Sequence, residues 1–557
     1  MEHAIAKLMR ERIASGLKRK SVTSCSKWAE TYRFVDKPYV GNWSFKYLPW
    51  QRGMHDSDAP LNVGQKSAQA GYTETVLNRT FYMIDVKGVD CLYVLPSSTP
   101  DASDFSASRF DAALELSPHL TNMFSDVKNI GHKRAGSSNL YIRGSRSRSQ
   151  LKSIPVGFIV LDELDEMEQD NIPLALQRTA GQFESQVWML STPTIPDEGI
   201  NKFFKSSNQE HFFFRCPGCS RLIELMFPEC LIITADNHSD PKIKDSYVQC
   251  KECKYKFTHE EKHLHMADGV WVPQFAGDGS RGFYVNQLYS TTVHPSEIAK
   301  SYLQSEYDPF EEQEFWNSRM GTAHTVKGAG VSDEDINNCI AQPGYARYTT
   351  GPKYGIVTMG VDVGKWIHYE IDTWKVDGSI QSNDLNIRSK CKVLTFGRVQ
   401  HFEELDILMR KFGINACVID SNPERRKAHE FANRFPGLVK MCIYGNNING
   451  KRIHIANPDE TDEPRITVDR TSWLDLSLGR FRGTGMILLP MDLDYEYRTH
   501  IKALVRVYDK DKNDMQVARY KTKGNEGDHY GHARNYAEIA LPFALSLANP
   551  QDIRGVY

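Results

Sequence analysis

Two pairs of cysteines constrain the fold of this chain more than any other feature. Each pair is a C-x-x-C knuckle, and 30 residues separate the two pairs. Four thiolates at this spacing suit a tetrahedral Zn²⁺ ion, as in a zinc ribbon; four unligated cysteines are the alternative. The strand-like segments HFFFRC and YVQC lead into the knuckles, as in ribbon hairpins. We therefore predict a zinc-ribbon-like module over residues 211–275, with structural zinc on Cys216, Cys219, Cys250 and Cys253.

Length and charge limit the remaining possibilities. A chain of 557 residues exceeds what one hydrophobic core usually supports, so two or three domains are expected. With 68 Lys and Arg against 70 Asp and Glu, the chain has no global basic character, and any DNA contact must be a confined basic strip or act through a metal. No apolar run approaches the roughly 20 residues that span a bilayer. Without a secretion signal, the cysteines suit a reducing cytosol, so we expect an intracellular protein.

The segment LNVGQKSAQAGYTETVLNRTFYMI resembles a phosphate-binding loop, with a strand, a turn of small residues and a helix in that order. Small residues let backbone N–H groups approach a phosphate, and the N-terminus of the helix is electropositive. Compared with G-x-x-x-x-G-K-[ST], Gly71 and Thr73 match, whereas Lys66 replaces the first glycine and Tyr72 the lysine. We predict that Lys66, Ser67, Gly71, Tyr72 and Thr73 bind nucleotide, with Thr73 on Mg²⁺; an ordinary turn is the alternative.

A buried strand ending in two acids follows, in the segment VGFIVLDE. Continuous apolar runs are typical of buried parallel strands, and α/β sheets bind ligands at the carboxyl ends of such strands. We predict that Asp162 holds Mg²⁺ and that Glu163 is the general base for the attacking water. A solvated strand end is the alternative. A further apolar strand, QVWMLS, ends in hydroxyl residues that in helicase-like ATPases sense the γ-phosphate.

Trp50 and Gln51 precede the loop by about 15 residues. An aromatic face and an amide are suited to stacking on adenine and bonding its Watson–Crick edge. A buried aromatic at a helix start explains Trp50 equally well.

The second half of the chain has the pattern of a metal-dependent nuclease. Asp362 and Asp420 lie in or at the end of apolar strands, and Asp528 lies near the start of an amphipathic helix. Three carboxylates so far apart in sequence meet only through a folded sheet, an arrangement typical of ribonuclease-H-like folds. Carboxylates and water suit Mg²⁺ or Mn²⁺, and two such ions activate water and stabilise the leaving oxygen of a phosphodiester. Acids also cap strands and helices, which is the alternative, above all for Asp528.

Taken in order, these motifs resemble the large subunit of the terminase of tailed double-stranded DNA phages, in its lambda-type branch. The resemblance covers WAETYR, LPWQ, KSAQAGYT, VLDELDEM, LSTPT and CPGC, and then GVWV, GFYVNQLYS, FWNSRMG, GVDVG, VIDS and DHYGHARNYAE. It implies an early lysine in the phosphate loop, which suits Lys66. It also implies an ATPase that moves double-stranded DNA through the portal protein into a procapsid, and a nuclease that cuts concatemers. A small terminase subunit, a homo-oligomeric ring and the host cytoplasm are the implied partners and location, with no membrane involved.

The expected architecture is therefore α/β throughout. An ATPase domain of the P-loop type spans residues 1–210, the zinc-ribbon-like module 211–275, and the end of the ATPase with a linker 276–345. A ribonuclease-H-like nuclease domain spans 346–557. Two other functions stay open. A helicase-nuclease of repair or restriction needs a second set of motor motifs, which the sequence lacks. A non-catalytic zinc-ribbon adaptor would not need the intact acids.

Overall fold

The computed structural model describes residues 24–37, 39–124, 127–152, 154–182, 184–378, 385–445, 451–456, 461–510, 515–524 and 527–547. The chain separates into two compact units, Met1–His324 and Thr325–Tyr557. The first unit thus includes the predicted zinc module and most of the segment expected to be a linker.

The first unit is built on an 11-stranded sheet with a parallel centre. Its strands, together with those of two small sheets, are β1 Phe34–Val35, β2 Gly41–Asn42, β3 Leu61–Lys66, β4 Cys91–Leu95, β5 Val127–Asn129, β6 His132–Ala135, β7 Ser138–Gly144, β8 Phe158–Asp162, β9 Gln186–Ser191, β10 Glu210–Arg215, β11 Leu222–Ile223, β12 Leu231–Ile232, β13 Tyr247–Gln249, β14 Lys256–Phe257, β15 Val270–Pro273 and β16 Arg281–Val285. The central order is β16-β3-β9-β8-β4-β7, all parallel.

Helices cover this sheet and contribute to its apolar core. They are α1 Cys25–Tyr32, α2 Gln51–His55, α3 Tyr72–Tyr82, α4 Ser103–Phe105, α5 Ala112–Leu116, α6 Pro118–Met123, α7 Ile172–Leu176, α8 Gly199–Ser206, α9 Lys262–His265, α10 Pro295–Ser305 and α11 Pro309–Glu314. Strands β4 and β8 are fully buried, as their continuous apolar sequences predict. Strand β3 is almost wholly buried although its sequence, LNVGQK, is mixed. Because these strands are parallel, β3, β8 and β9 end at the same edge of the sheet.

The cysteine module is joined to the large sheet. Strand β10 pairs in parallel with β16 and antiparallel with β11 and β15. Strands β12, β13 and β14 form a separate antiparallel sheet. The first knuckle thus extends directly from the large sheet, and the module is part of the first unit rather than a detached insertion.

The second unit contains an eight-stranded mixed sheet and a separate hairpin. Its strands are β17 Ile356–Val363, β18 Ile367–Val376, β19 Ser389–Val399, β20 Ala416–Asp420, β21 Val439–Gly445, β22 Ile453–Ile455, β23 Arg465–Asp469, β24 Ile487–Leu488, β25 Leu504–Lys510 and β26 Gln516–Thr522. The helices are α12 Asp333–Cys339, α13 Leu385–Arg388, α14 Phe402–Phe412, α15 Arg425–Arg434, α16 Arg470–Gly479, α17 Tyr495–Ala503 and α18 His529–Leu547.

The centre of this sheet has the order β19-β18-β17-β20-β21. Strand β18 is antiparallel to both of its neighbours, β17 and β19. Strand β20 then pairs in parallel with β17, and β21 in parallel with β20. This is the ribonuclease-H-like arrangement, so the predicted fold class is confirmed for both units.

Helix α18 packs tightly on β17 because Gly360 has no side chain. A Cβ atom at Gly360 would overlap the carbonyl oxygen of Ala533 and the amide nitrogen of Ala537. Thr358 also donates a hydrogen bond of 2.9 Å to the carbonyl of Ala537. These contacts fix the N-terminal half of α18, which follows Asp528, against β17.

Among the described residues, no helix has the length and apolarity required to cross a membrane.

Candidate functional site

Lys66, Asp162 and Glu163 meet at the carboxyl edge of the parallel sheet. The Lys66 Nζ atom lies 2.7 Å from Glu163 Oε1 and 3.5 Å from Asp162 Oδ1. Strand β9 lies between β3 and β8, and the register pairs Gln65 with Ser191 and Asp162 with Leu190. The lysine and the acids predicted from separate motifs are therefore in one ion-paired group.

Two of the three charged side chains of this group, Lys66 and Asp162, are buried. Burial lowers the pKa of Lys66, but Glu163 and Asp162 raise it more strongly, so the ammonium stays protonated. Glu163 has a φ of 61°, in the left-handed region that non-glycine residues rarely occupy. Such strain is typical of functional sites, where the surrounding structure enforces it. The Glu163 side chain keeps 44% of its surface exposed, so water can reach the carboxylate.

Tyr93 is a member of this group that the sequence does not single out. Its hydroxyl donates a 2.7 Å hydrogen bond to Asp162 Oδ2 from the neighbouring strand β4. The residue lies within an apolar strand, CLYVL, where an aromatic side chain predicts only core packing. Tyr93 fixes one Asp162 oxygen and leaves the other facing Lys66.

The loop after β3 has the backbone of a phosphate-binding turn. Gly71 has a φ of 78° and precedes the first residue of α3, a conformation that glycine adopts without strain. Thr73 lies in the first turn of that helix, partly exposed. Ser67 is buried, and its amide bonds the carbonyl of Val285 at 3.4 Å. Tyr72 is buried too: its ring packs beside Gly64, so its side chain lies beneath the loop and only its backbone faces the helix N-terminus.

A cavity of about 680 Å³ adjoins Gly71 and includes Gln51 in its lining. The Gln51 amide nitrogen donates to the Gly71 carbonyl at 2.5 Å, and its Oε1 atom is buried without a partner. A buried acceptor beside a cavity suits an amino group such as that of adenine.

Trp50 differs from the prediction in its position. Its ring is 1% exposed, does not line the cavity and packs at right-angled geometry against Phe212 and Tyr289. Its indole N–H donates to the carbonyl of Ala70 at 3.0 Å. Trp50 therefore supports the loop from the core. Burial of its large apolar ring stabilises the fold more than a position at the cavity surface would.

The cavity is lined by charged residues that no motif indicates. Arg33 pairs with Glu74 at 3.2 Å, and Arg109 pairs with the other oxygen of the same carboxylate at 3.4 Å. Tyr39 and Tyr47 add aromatic surface to the lining, and their rings pack 5.7 Å apart. Either tyrosine could supply the stacking face that was expected from Trp50.

The four predicted cysteines form a compact cluster. One Sγ atom from each lies within 4.8 Å of the others, and the Cys216 and Cys253 sulfurs are 3.6 Å apart. The two knuckles are closed by equivalent backbone hydrogen bonds. Cys216 N–H donates to Arg221 O in the first knuckle and Cys250 N–H to Tyr255 O in the second, both at 2.9 Å. Two thiolates on one zinc ion at about 2.3 Å bond length are roughly 3.8 Å apart, so the geometry fits zinc.

Asp362 and Asp420 lie on adjacent strands of the second unit. The parallel register pairs Val361 with Ile419, which places the two following aspartates side by side. Burial raises the pKa of Asp420 to about 6, and the nearby Asp362 charge adds to the effect. A buried carboxyl whose pKa is raised in part by a neighbouring acid is suited to binding a cation.

Asp528 is near this edge but turned toward other partners. Its Oδ2 atom accepts a 2.5 Å hydrogen bond from Thr522 and lies 3.3 Å from His532 Nε2. Burial raises the pKa of Asp528, but these bonds lower it more strongly, so the carboxylate is ionised. Among the residues that the structure describes, no metal-sized grouping of three side chains includes Asp528 or Asp420.

Histidines instead complete the group around Asp362. One ligand atom each of Asp362, His368 and His529 lies within 4.8 Å of the others, and the same holds for His368, Glu496 and His500. The sequence motifs do not indicate His368, Glu496 or His500. The available signal was the short β17–β18 hairpin, whose register sets His368 directly opposite Asp362.

Two family models match consecutive parts of the chain. Residues 38–271 match the family described as phage terminase large subunit gpA, ATPase domain, and residues 280–551 match terminase large subunit gpA, endonuclease domain. The large terminase subunit of Enterobacteria phage P21 is 23% identical over 382 residues, which are 60% of this chain and 58% of that protein. The chain thus matches less than two thirds of that relative's length.

Solved structures of terminase domains are also similar to parts of this chain. The large terminase nuclease of thermophilic phage G20c aligns over 36% of this chain and 94% of its own, with 14% identity and a TM-score of 0.23. The large terminase ATPase domain of Thermus phage P74-26 aligns over 52% of this chain and 99% of its own, with 13% identity and a TM-score of 0.31.

A parallel-sheet unit followed by a ribonuclease-H-like unit has the same order as the two matched family domains, an ATPase domain and an endonuclease domain. The two family matches together cover most of the sequence. The chain belongs to the phage terminase large subunit gpA family.

Proposed function

We propose that this protein is the ATP-driven motor and nuclease of viral DNA packaging, moving double-stranded DNA into the procapsid and cutting concatemers. The observation that carries the proposal is the ion-paired group of Lys66, Asp162 and Glu163 at the carboxyl edge of the first sheet. An α/β sheet binds its ligand at this edge, and phosphoryl transfer needs a cation, a metal-binding acid and a base there.

Within the ATPase unit, each residue has a proposed role. Lys66 leaves the acids to neutralise the β- and γ-phosphates, while Thr73 and Asp162 hold Mg²⁺. Glu163, freed from the lysine, accepts a proton from the attacking water. Gln51 Oε1 accepts from the adenine amino group.

For the nuclease unit, we propose that Asp362, Asp420 and Asp528 hold Mg²⁺ or Mn²⁺ against the scissile phosphate. Bound ions would supply an activated water and stabilise the leaving oxygen. Asp528 would exchange its bonds with Thr522 and His532 for the ion.

The cysteine cluster is proposed to hold a structural Zn²⁺ ion. Four sulfurs at tetrahedral spacing, with no fifth candidate ligand among the described residues of the cluster, support a closed site. Zinc would fix the two knuckles to each other and thereby the end of β10 in the large sheet.

The partners follow from family membership and stay proposals. They are double-stranded DNA, the portal protein of the procapsid, a small terminase subunit and further copies of this chain in a ring, in the host cytoplasm and without a membrane. No basic strip is needed for the nuclease if ions bridge its carboxylates to the phosphate.

Plasmid cleavage and ATP hydrolysis, measured together, test the proposal. With Mg²⁺ or Mn²⁺, Asp420→Ala should abolish cutting and spare ATP hydrolysis, whereas Glu163→Ala should do the reverse. Glu403→Ala and Asp170→Ala, two exposed acids in the respective units, are the matched controls and should change neither activity. If folded, assembled wild-type protein cuts no DNA, the nuclease half of the proposal is wrong; if it hydrolyses no ATP, the motor half is wrong.

A further inference from the structure

The nuclease edge carries more imidazole groups than a magnesium site requires. His368 lies on β18 directly opposite Asp362, and opposite residues of an antiparallel pair share one face. His529 begins α18, which packs on β17. Its Nδ1 atom lies 2.8 Å from Asp362 Oδ2. The His368 and His529 rings are stacked with centroids 4.6 Å apart.

His368 has the bonding pattern of a metal ligand that lacks its ion. The residue is 2% exposed, and its Nδ1 atom is buried without a hydrogen-bond partner. Its Nε2 atom lies 3.4 Å from Glu496 Oε1, and Arg398 holds the same oxygen at 2.8 Å. Metal-bound histidines commonly direct their second nitrogen to a carboxylate, which fixes the ring and its tautomer. A buried unpaired nitrogen is otherwise a cost to the fold.

The spacing of the other two groups also fits an ion. Two ligands bonded to one ion at about 2.1 Å lie roughly 3.0–3.4 Å apart, close to the observed separation of His529 Nδ1 and Asp362 Oδ2. An ion placed there would replace the proton that now joins them. His500, one helical turn from Glu496 on α17, adds a further imidazole to the same region.

We propose that Asp362, His368 and His529 bind a divalent transition-metal ion of the Mn²⁺, Co²⁺ or Zn²⁺ class, with Glu496 orienting His368. Two imidazoles and one carboxylate favour such ions over Mg²⁺, which prefers an all-oxygen set. The inference deepens the proposed nuclease site and rests on it, because Asp362 belongs to both. One of the ions at that site would then be a transition metal.

Cobalt binding without DNA tests this site separately from cutting. Full-length protein with its cysteine cluster saturated with Zn²⁺ is titrated with Co²⁺ and followed by calorimetry and visible absorption. Wild type should bind one Co²⁺ with a spectrum lacking thiolate charge-transfer bands, and a roughly 100-fold excess of Mg²⁺ should not displace it. His529→Ala and His368→Asn should each weaken binding by at least about 10-fold, and Glu496→Gln about 10-fold.

Two further variants show whether a change in Co²⁺ binding comes from loss of a ligand. His429→Ala, a histidine of the same unit outside the cluster, should bind Co²⁺ as wild type does. Asp420→Ala should lose DNA cutting, if the proposed function holds, while it keeps the Co²⁺ site. If wild type binds no Co²⁺ at such a site, or if His529→Ala binds it as tightly as wild type does, the metal site is wrong. His529 is partly exposed, so its variant should fold even if His368→Asn does not.

Discussion

In the ATPase unit a lysine ammonium already lies between the acids of the proposed site, whereas the described acids of the nuclease site have no such cation. In the described part of the chain, no lysine or arginine pairs with Asp362 or Asp420; histidine is the ion-pair partner of Asp362. Lys66 therefore offsets the negative charge of the acids in the first site before nucleotide binds. In the second site, metal ions must offset the negative charge of the acids. We infer that the ATPase site is assembled by folding and the nuclease site by its ions.

The nuclease unit does use arginines, but beneath its site rather than in it. Arg534 contacts Glu370 at 3.0 Å, Glu538 at 2.7 Å and also Asp372, and all four side chains are almost fully buried. Arg480 shares Glu538 at 2.6 Å. Burial raises the pKa of Asp372 well above its ordinary value, although Arg534 opposes this.

The largest expected effect comes from breaking this network. Arg534→Met should destabilise the second unit by about 3–5 kcal/mol, because it leaves Glu370 and Asp372 buried without their cation. The measurement is the free energy of unfolding in denaturant, with ATP hydrolysis as a probe of the first unit, which should persist. Arg426→Met, at an arginine whose side chain is 89% exposed, is the control. A change below about 1 kcal/mol in Arg534→Met would show that the network contributes little.

The second prediction concerns the cation of the ATPase site. Lys66→Ala should lower the rate of ATP hydrolysis by about 10²–10³-fold, since it removes the charge that we assign to the phosphates. DNA cutting should be unchanged, because no lysine pairs with the described acids of the nuclease site. The comparison is with Lys87→Ala, an exposed lysine of the same unit. Equal hydrolysis rates in the two variants would remove Lys66 from the site and with it our interpretation of the altered loop motif.

Sequence patterns were informative where one strand carries both the fold and the chemistry. Buried runs ending in acids located Asp162 and Asp420, and the knuckle spacing located the cysteine cluster. The patterns failed where a side chain acts across strands: Tyr93 has the pattern of a core aromatic, and only the register shows His368 opposite Asp362. At Trp50 the pattern predicted a residue at the cavity, but the ring lies in the core and its neighbour Gln51 lines the cavity. The sequence of an aromatic beside a glutamine does not show which of the two faces the cavity.

The third prediction tests whether the stability of the first unit depends on His55 being neutral. His55 is buried, and its Nδ1 donates to Gln51 O at 2.8 Å while Nε2 accepts from Asn78 at 3.0 Å. Burial lowers the pKa of His55 to about 3 from 6.5, so the unfolded chain takes up the proton first. Stability from this group is complete above pH 6.5 and falls as the pH decreases toward 3.

Between about pH 7 and pH 5 the loss from His55 should be about 2 kcal/mol, at roughly 1.36 kcal/mol per pKa unit. Unfolding of the first unit is measured at both values in wild type and His55→Gln. The variant should lose that part of the pH dependence, whatever its stability at neutral pH. An identical slope in both proteins would show that His55 titrates normally. His55→Gln should leave the pH dependence of unfolding of the second unit unchanged.

The smallest effect should come from Tyr93, which contacts an acid of the site but carries no charge. Tyr93→Phe removes the 2.7 Å bond to Asp162 and should slow ATP hydrolysis about 10-fold, the contribution of one hydrogen bond to a charged group. If Tyr93 only positions the metal-binding carboxylate, the variant should also need more Mg²⁺ for half-maximal rate, while its KM for ATP at saturating Mg²⁺ changes little. Tyr141→Phe, on the neighbouring strand β7, is the control. If Tyr93→Phe lowered the rate of ATP hydrolysis as much as Lys66→Ala, the ATPase site would be less rigidly assembled than its ion pairs indicate. The contrast that we draw between the ATPase site and the nuclease site would then be weaker.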